Sequence, residues 1–188
     1  MILPIYAYGH PVLKQEGKDI SADYPELKDL IHNMWDTMYQ ANGVGLAAPQ
    51  IGLSIRLFVV DSTQINDEMR KGEVGIKKVF INAHKIDESG SLWNYEEGCL
   101  SIPHVRGDVE RHDTVRIRFQ DEHFEVHEQT FHGINARVIQ HEYDHIDGVL
   151  FTEKLKPLKK KLIQRKMNDI LSGRIRADYK IKFAKRAG

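Results

Sequence analysis

The pentapeptide at residues 141–145, His-Glu-Tyr-Asp-His, limits the fold of this chain more than any other segment. Residues four apart on an α-helix lie about 40° apart around its axis, so the two imidazoles can reach one metal ion only if the segment is helical. The intervening Glu142 can then address a water on that ion. Ile134 and Val138 belong to the apolar face that would bury such a helix. The sequence therefore predicts a buried helix from residue 133 to about residue 144.

A third ligand is needed, because hydrolytic sites of this kind commonly use three protein ligands and a water. The chain has one cysteine, Cys99, which cannot form an internal disulfide and needs another explanation. Gly98 before it permits close approach of the backbone, and Pro103 after it stops helix formation. Asp147 and Glu153 are downstream alternatives, but neither belongs to a second motif. We predict a site of Cys99 and the two histidines, a donor set that suits zinc and ferrous iron alike.

Two other patterns imitate binding motifs without the structural setting that such motifs need. His127 and His132 are five apart in a segment predicted as a strand, so they are not expected to converge. The pattern Gly43-x-Gly45-x-x-Ala48 resembles a weak dinucleotide fingerprint. It follows a helix and leads into a strand, the reverse of the order that a dinucleotide site requires, and is therefore rejected.

The periodicity of the remaining chain predicts short strands mixed with helices. Helices are expected at 25–39 and from Pro157 to about residue 172, the second being amphipathic with Leu158 and Leu162 among its inward residues. Strands are expected at 55–60, 79–82, 115–119, 124–131 and 148–151, and the polar residues 61–77 are expected to form a surface excursion. The absence of βαβ alternation indicates an α+β fold. Its antiparallel sheets are expected to pack around the central His-Glu-x-x-His helix, with an amphipathic helix near the C-terminus.

The net charge is zero, but the charges are unevenly distributed. Residues 153–188 carry 13 Lys and Arg against three acids, a net of about +10, whereas the first 152 residues carry 14 basic and 24 acidic residues. The basic region is either a solvated helix face or a surface that contacts a polyanion. The chain has neither an apolar run of about 18 residues nor a leader-like N-terminus, so we expect no membrane span and a cytoplasmic location.

Three segments, in order, make the chain similar to the peptide deformylase family. Residues 43–50 (GVGLAAPQ) resemble the first motif of that family, residues 97–101 (EGCLS) the second, and residues 140–145 (QHEYDH) the third. Their spacing is also family-like, and the similarity extends from about residue 3 to residue 155. The three motifs together are highly specific.

Two segments depart from the family pattern, the expanded polar stretch at 62–78 and the basic C-terminus. We therefore expect a catalytic domain at residues 1–173 and a basic tail at residues 174–188. Removing the tail from Arg174 onward is expected to weaken ribosome association and to leave hydrolysis intact.

The resemblance implies removal of the formyl group from the N-formylmethionine of newly synthesised polypeptides, with release of formate. It implies one divalent ion, natively Fe²⁺ and replaceable by Zn²⁺, Ni²⁺ or Co²⁺, on three ligands: Cys99, His141 and His145. The ion lowers the pKa of its water toward ~7, and Glu142 moves the proton. The Gln50 amide and the Leu100 backbone N–H stabilise charge on the formyl oxygen. Glu97 and Arg111 are expected to form a supporting ion pair.

The resemblance also implies where an extended peptide substrate lies. Its backbone would run along Val44 and Gly45. Arg106 is a candidate to bind peptide carbonyls, with a solvated surface position as the alternative. The methionine side chain would enter an apolar slot formed by Val44, Ile134, Val138 and the body of His141. Ile134 and Val138 are four residues apart on one helical face.

The implied partners are N-formylmethionyl nascent peptides and, through the basic tail, the ribosome. The protein is expected to be a monomer without membrane contact. Two alternatives remain: a metallopeptidase or other amidase that uses the same helix, and a non-enzymatic ribosome-associated protein that has kept the fold. The presence of Gln50, Cys99, Glu142 and both histidines argues against the second.

Overall fold

An antiparallel sheet of five strands forms the centre of the structure, a computed structural model that describes residues 1–70 and 72–184. In spatial order its strands are β2 (Gly45–Ala47), β3 (Leu57–Asp61), β4 (Lys77–Cys99), β5 (Ile102–Gln120) and β6 (Val126–His132). A separate parallel pair consists of β1 (Ile5–Tyr6) and β7 (Ile181–Lys182). The α-helices are α1 (Leu27–Gln40), α2 (Asp67–Arg70), α3 (Gly133–Ile146) and α4 (Pro157–Leu171). None of the helices within the described residues could span a lipid bilayer.

Strands β4 and β5 form one long hairpin, and Cys99 lies at its tip. Cys99 pairs with Ile102 at the turn, and the ladder continues to the pair of Ile81 with Gln120. Register shifts interrupt the ladder, and such irregularities bend and twist a pair of strands. The mixture of helices and an antiparallel sheet confirms the α+β prediction.

The predicted strands at 79–82 and 115–119 are much too short, because they are only the outer ends of this hairpin. Along β5 the buried and exposed positions alternate, but Gly107 and Arg111 occupy buried positions. A glycine and an arginine on the inward face break the apolar alternation by which a strand is recognised in a sequence. Arg111 is buried because it forms an ion pair with Glu97. Hydrophobic periodicity alone does not predict that an arginine will occupy an inward position.

Helix α3 lies against β2, β3, β5 and β6 and is buried around most of its circumference. Val138 and Ile139 pack into a cluster with Phe58, Phe80 and Phe119 of the sheet. The helix also buries Glu142 and His145, whose polar groups therefore lie inside the protein. The helix predicted at residues 133–144 is thus present and ends at Ile146.

The structure differs from the prediction at residues 148–151 and on one face of α4. Residues 148–151 do not form a strand; instead, Phe151–Lys154 is a 3-10 helix. Leu158 and Leu162 of α4 are 70% and 71% exposed rather than inward. The buried residues of α4 are Ile163, Met167 and Ile170. Their spacing of four and three makes a narrow stripe, and the two leucines lie off that stripe.

The segment at 61–77 is more than a surface excursion. It contains the 3-10 helix Ser62–Gln64 and α2, while Lys71 lies outside the described residues. Its two ends are joined, since the Ser62 N–H donates to the Ile76 carbonyl and the Ile76 N–H donates to the Ser62 hydroxyl. These bonds hold the segment against the end of β3.

The described part of the C-terminal region also lies against the body of the protein. In the β1–β7 pair, the Ile5 N–H donates to the Lys180 carbonyl at 2.8 Å and the Ala7 N–H to the Lys182 carbonyl at 2.9 Å. Residues 185–188, the end of the expected basic tail, lie outside the described residues. The division at residue 173 into domain and tail stays a prediction.

Candidate metal centre

Cys99, His141 and His145 come together between the hairpin tip and α3. One ligand atom from each residue lies within 4.8 Å of the other two, and Cys99 Sγ is 3.3 Å from His145 Nε2. The two imidazoles are one helical turn apart, with ring centroids separated by 5.1 Å. One thiolate and two imidazoles are donors that zinc and ferrous iron accept. The residues present therefore fit a divalent metal ion.

Two buried polar atoms beside this cluster support that fit. Glu142 Oε2 and His145 Nδ1 have no hydrogen-bond partner among the described residues. Buried polar atoms are nearly always hydrogen-bonded, and exceptions mark sites of function or of an additional ligand or water. Both atoms belong to the helical segment that the sequence singled out.

Glu97 of β4 orients the first histidine. Its Oε2 lies 2.9 Å from His141 Nδ1. An ionised carboxylate can only accept, so Nδ1 carries the hydrogen and Nε2 is left as the ligand atom. Arg111 donates to both oxygens of Glu97, at 2.6 and 3.0 Å, and to Asp144 Oδ2 at 2.7 Å. The expected Glu97–Arg111 ion pair is therefore confirmed and extends to α3.

Arg137 of α3 is a second cation on Glu97, a contact that the sequence did not predict; the sequence left open only whether the Arg137 stem lines the methionine slot. Its Nη1 donates to Glu97 Oε1 and to the Val109 carbonyl, both at 2.9 Å, and its Nη2 donates to the Trp93 carbonyl at 2.7 Å. The guanidinium carbon also lies 4.5 Å from the Trp93 ring centroid. In the sequence, the one indication that Arg137 is buried in a polar contact is its position on an otherwise apolar helix face, beside Val138.

Glu142 lies under the backbone of β2. It is 4% exposed, and a Cβ placed on Gly45 would lie 2.7 Å from Glu142 Cδ. Burial raises the pKa of Glu142 to about 7, because the charged form loses its hydration. A carboxyl group with a pKa near neutral can both accept and return a proton.

The surrounding groups have pKa values that move in different directions. Burial opposes ionisation of Glu97, but hydrogen bonds from Arg111 and His141 hold its pKa well below the usual value. Burial also opposes protonation of His141, yet its contacts with Cys99 and Glu97 raise its pKa well above the usual value, so metal binding at Nε2 has to release a proton. For His145, burial and the neighbouring His141 both lower the pKa, so this imidazole is neutral.

Gln50 projects its amide toward the cluster from the 3-10 helix Ala48–Ile51. Gln50 Oε1 accepts the Ala47 N–H at 2.9 Å, which fixes the orientation of the amide. Its Nε2 lies 3.5 Å from Cys99 Sγ and 3.3 Å from Ser101 Oγ. Leu100 follows Cys99 directly in the turn between β4 and β5. Both predicted oxyanion residues are therefore adjacent to the cluster.

An open groove of about 810 Å³ leads to the cluster. Val44, Gly45, Arg106 and Val138 line it, as the resemblance implies. The Arg106 side chain is 67% exposed and lies 3.7 Å from Glu96, so it stands at the rim. Ile134 is 2% exposed and lies one turn before Val138. The groove also has lining residues that sequence reasoning missed, among them Gln64, Ile65, Met69, Tyr95 and Tyr179.

His127 and His132, the other pair of histidines considered in the sequence, do not share a site. His127 Nε2 lies 2.7 Å from Asp121 Oδ2, and His132 Nδ1 lies 3.1 Å from Thr114 Oγ1. Their spacing of five on a strand sends them to separate partners, as expected.

Known proteins resemble this chain along nearly all of its length. A family model described as polypeptide deformylase matches residues 2–161. A peptide deformylase of Christiangramia forsetii is 53% identical over 189 residues, covering 97% of this chain and 96% of that protein. One of Flavobacterium johnsoniae is 53% identical over 190 residues, covering 98% and 97%. A solved peptide deformylase from Plasmodium falciparum has a TM-score of 0.78 at 32% identity, covering 88% of this chain and 93% of that one.

Proposed function

The chain belongs to the peptide deformylase family, and from that premise we propose how its residues carry out the reaction. The enzyme is a hydrolase that removes the formyl group from the N-formylmethionine of nascent peptides. The family is metal-dependent, and this chain has a candidate group of metal ligands. The observation that carries the residue assignment is the convergence of Cys99, His141 and His145 beside the buried Glu142.

In our proposal Cys99, His141 and His145 hold one divalent ion, with Fe²⁺ as the native metal and Zn²⁺, Ni²⁺ or Co²⁺ as substitutes. Such an ion supplies a Lewis acid that makes water acidic and draws electrons from a carbonyl group. Glu97 keeps His141 in the tautomer that ligates through Nε2. Helix α3 acts as the central helix that carries two of the three ligands.

Glu142 is the proposed proton carrier. It takes a proton from the water that attacks the formyl carbon and passes it to the nitrogen of methionine as the C–N bond breaks. Formate and a free α-amino group result. Its buried position against Gly45 and its pKa of about 7 support this assignment.

Gln50 and Leu100 are the proposed stabilisers of the formyl oxygen. The Gln50 amide is preoriented by the Ala47 N–H, so little reorganisation is needed when charge develops. The Leu100 backbone N–H is the second proposed donor. Donors that are fixed before the reaction act more strongly than donors that must turn toward the charge.

The substrate peptide is proposed to lie extended in the groove, along Val44 and Gly45 and beside Arg106. The methionine side chain is proposed to enter an apolar slot formed by Val138 and Ile134. Val44, Gly45, Arg106 and Val138 all line the groove, which supports these roles. Ile134 is buried and does not line the groove, so its proposed role rests on the resemblance alone.

We further propose that the protein is a cytoplasmic monomer and that the basic face of α4 contacts the ribosome. Lys161 and Arg165 are exposed on α4, and neither lines the groove. Replacing both with glutamate should weaken co-sedimentation with ribosomes and leave hydrolysis of a short formyl peptide intact. Co-sedimentation that is unchanged from low to moderate salt would refute the ribosome contact.

The decisive experiment on activity measures formate released from a formyl-Met peptide, with and without a chelator. We expect release that the chelator abolishes and that added Fe²⁺ restores. Acetyl-Met and unblocked peptides serve as competing substrates. Comparable cleavage of these peptides would favour a general amidase or metallopeptidase, whereas a deformylase strongly prefers the formyl group.

A further inference from the structure

The segment after α4 is an extended strip with one face on the protein body. From residue 175 to residue 183 partly buried and exposed residues alternate without interruption. The inward residues are Ile175, Ala177, Tyr179, Ile181 and Phe183, and the outward residues are Arg176, Asp178, Lys180 and Lys182. This two-residue period is that of a half-buried strand. The strip is therefore docked, and only its outer face is basic.

Hydrogen bonds fix the strip at both ends. The β1–β7 pair holds the end at Ile181–Lys182. Toward the other end, His104 Nε2 lies 2.7 Å from the Arg176 carbonyl, and Lys166 Nζ donates to the His104 carbonyl at 3.1 Å. Between these anchors, Ala177, Asp178 and Tyr179 line the groove that leads to the metal centre.

Tyr179 connects this strip to the turn that carries the candidate ligand. Its hydroxyl donates to the Leu100 carbonyl at 2.7 Å. The next carbonyl, that of Ser101, accepts the Tyr8 N–H at 2.8 Å. Two consecutive peptide units after Cys99 are thus held from outside the hairpin. Burial raises the pKa of Tyr179 well above the usual value, so its hydroxyl remains a donor at neutral pH.

We propose that Tyr179 is a positioning residue for deformylation, which it serves by fixing the backbone of Leu100 beside Cys99. The inference rests on the proposed function of the Leu100 N–H as a donor to the formyl oxygen. Tyr179 does not touch the reacting atoms. Its bond to the carbonyl restricts rotation about the Leu100 backbone, and a fixed donor stabilises developing charge better than a mobile one.

The test removes one oxygen atom by the substitution Tyr179→Phe. Its matched control is Tyr6→Phe. The Tyr6 hydroxyl accepts a hydrogen bond from Lys182 Nζ at 3.1 Å in the β1–β7 pair, which anchors the same strip, but it makes no hydrogen bond to Leu100. For both variants we would measure kcat and KM on a formyl-Met peptide, bound metal, melting temperature and hydrogen exchange of residues 99–101.

For Tyr179→Phe we expect kcat to fall about five-fold, the effect of one ordinary hydrogen bond, with KM within about two-fold of wild type. Hydrogen exchange at 99–101 should become faster, and bound metal should stay at the wild-type level. Tyr6→Phe should match wild type in kcat and in exchange at 99–101.

Unchanged kcat and unchanged exchange in Tyr179→Phe would overturn the proposal. An equal loss in both variants, accompanied by a lower melting temperature, would also overturn it, because it would assign the hydroxyls a general structural role. If wild type releases no formate, the proposed function fails instead, and exchange at 99–101 still decides whether Tyr179 fixes the turn.

Removal of residues 174–188 should lower activity at least as much as Tyr179→Phe, in contrast to the expectation for a dispensable tail.

Discussion

Gly45 and Glu142 are in direct contact across the boundary between β2 and α3. A Cβ on residue 45 would lie 2.7 Å from both Cγ and Cδ of Glu142, a distance at which one group must move. The backbone of the first motif therefore sets the position of the proposed proton carrier. Glycine is required here because the Glu142 side chain approaches the backbone closely. An unusual backbone angle is not the reason, because the φ of Gly45 is not positive.

Gly45→Ala should displace the Glu142 carboxyl and lower kcat by at least about ten-fold, since general acid–base groups contribute about 10²–10⁴-fold when they are placed correctly. Metal content should stay near that of wild type, because Gly45 supplies no ligand. Metal analysis and formate release on the same sample provide the measurement. A variant with full activity would mean that the carboxyl can shift without consequence.

Glu142→Gln should retain the metal and lose about 10²–10⁴-fold in turnover, because the amide cannot take up the proton. The exposed Glu122 offers a control, and Glu122→Gln should behave as wild type. Formate release is measured together with bound metal. Substantial turnover in Glu142→Gln with a full complement of metal would exclude Glu142 as the proton carrier.

Arg137→Met should weaken metal binding by up to about 10–100-fold, because it removes a cation that holds Glu97, the residue that orients His141. It should also cost about 1–3 kcal/mol in the free energy of unfolding, because the Trp93 and Val109 carbonyls lose a buried donor. Metal competition and urea titrations measure the two effects.

The control is Arg116→Met, which breaks an exposed ion pair with Glu128. Such a surface pair contributes about 0–1 kcal/mol, so both quantities should change little. If Arg137→Met matched this control, Arg111 alone would suffice to hold Glu97.

Asp121 should make the stability of the β5–β6 turn depend on pH. Burial opposes its ionisation, but the bond to His127 and the N–H groups of His123 and Glu125 prevail and lower the pKa of Asp121. Its folded-state pKa is thus below the unfolded value of about 3.9, so the stabilisation is fully present above about pH 4 and is lost as the pH falls through the folded value.

Asp121→Asn should therefore be less stable than wild type at pH 5, and the difference should shrink as the pH falls toward about 2.5. Urea titrations at both pH values measure this, with the exposed Asp87 replaced by Asn as the control. A difference that stayed constant across this range would show that the ionised Asp121 contributes nothing specific to the folded state.

A helix from residue 133 to about residue 144 and the convergence of its two histidines follow from the sequence alone, because a spacing of four is local geometry that any α-helix imposes. The sequence also indicates Cys99 as the third ligand candidate, since the chain has a single cysteine inside a recognisable motif. The Glu97–Arg111 pair followed from the resemblance. These features depend on short stretches of chain or on motif order.

The contacts of the buried polar groups depend on how distant parts of the chain fold together. Arg137 and Glu97 are 40 residues apart, and Tyr179 and Leu100 are 79 apart. A hydrophobic period indicates which face of an element is buried but not which element covers it. Residues 175–183 were expected only as part of a basic tail, and their packing against the protein body became apparent from the structure. Long-range packing around the β4–β5 hairpin brings these groups together, and that packing is a property of the whole fold.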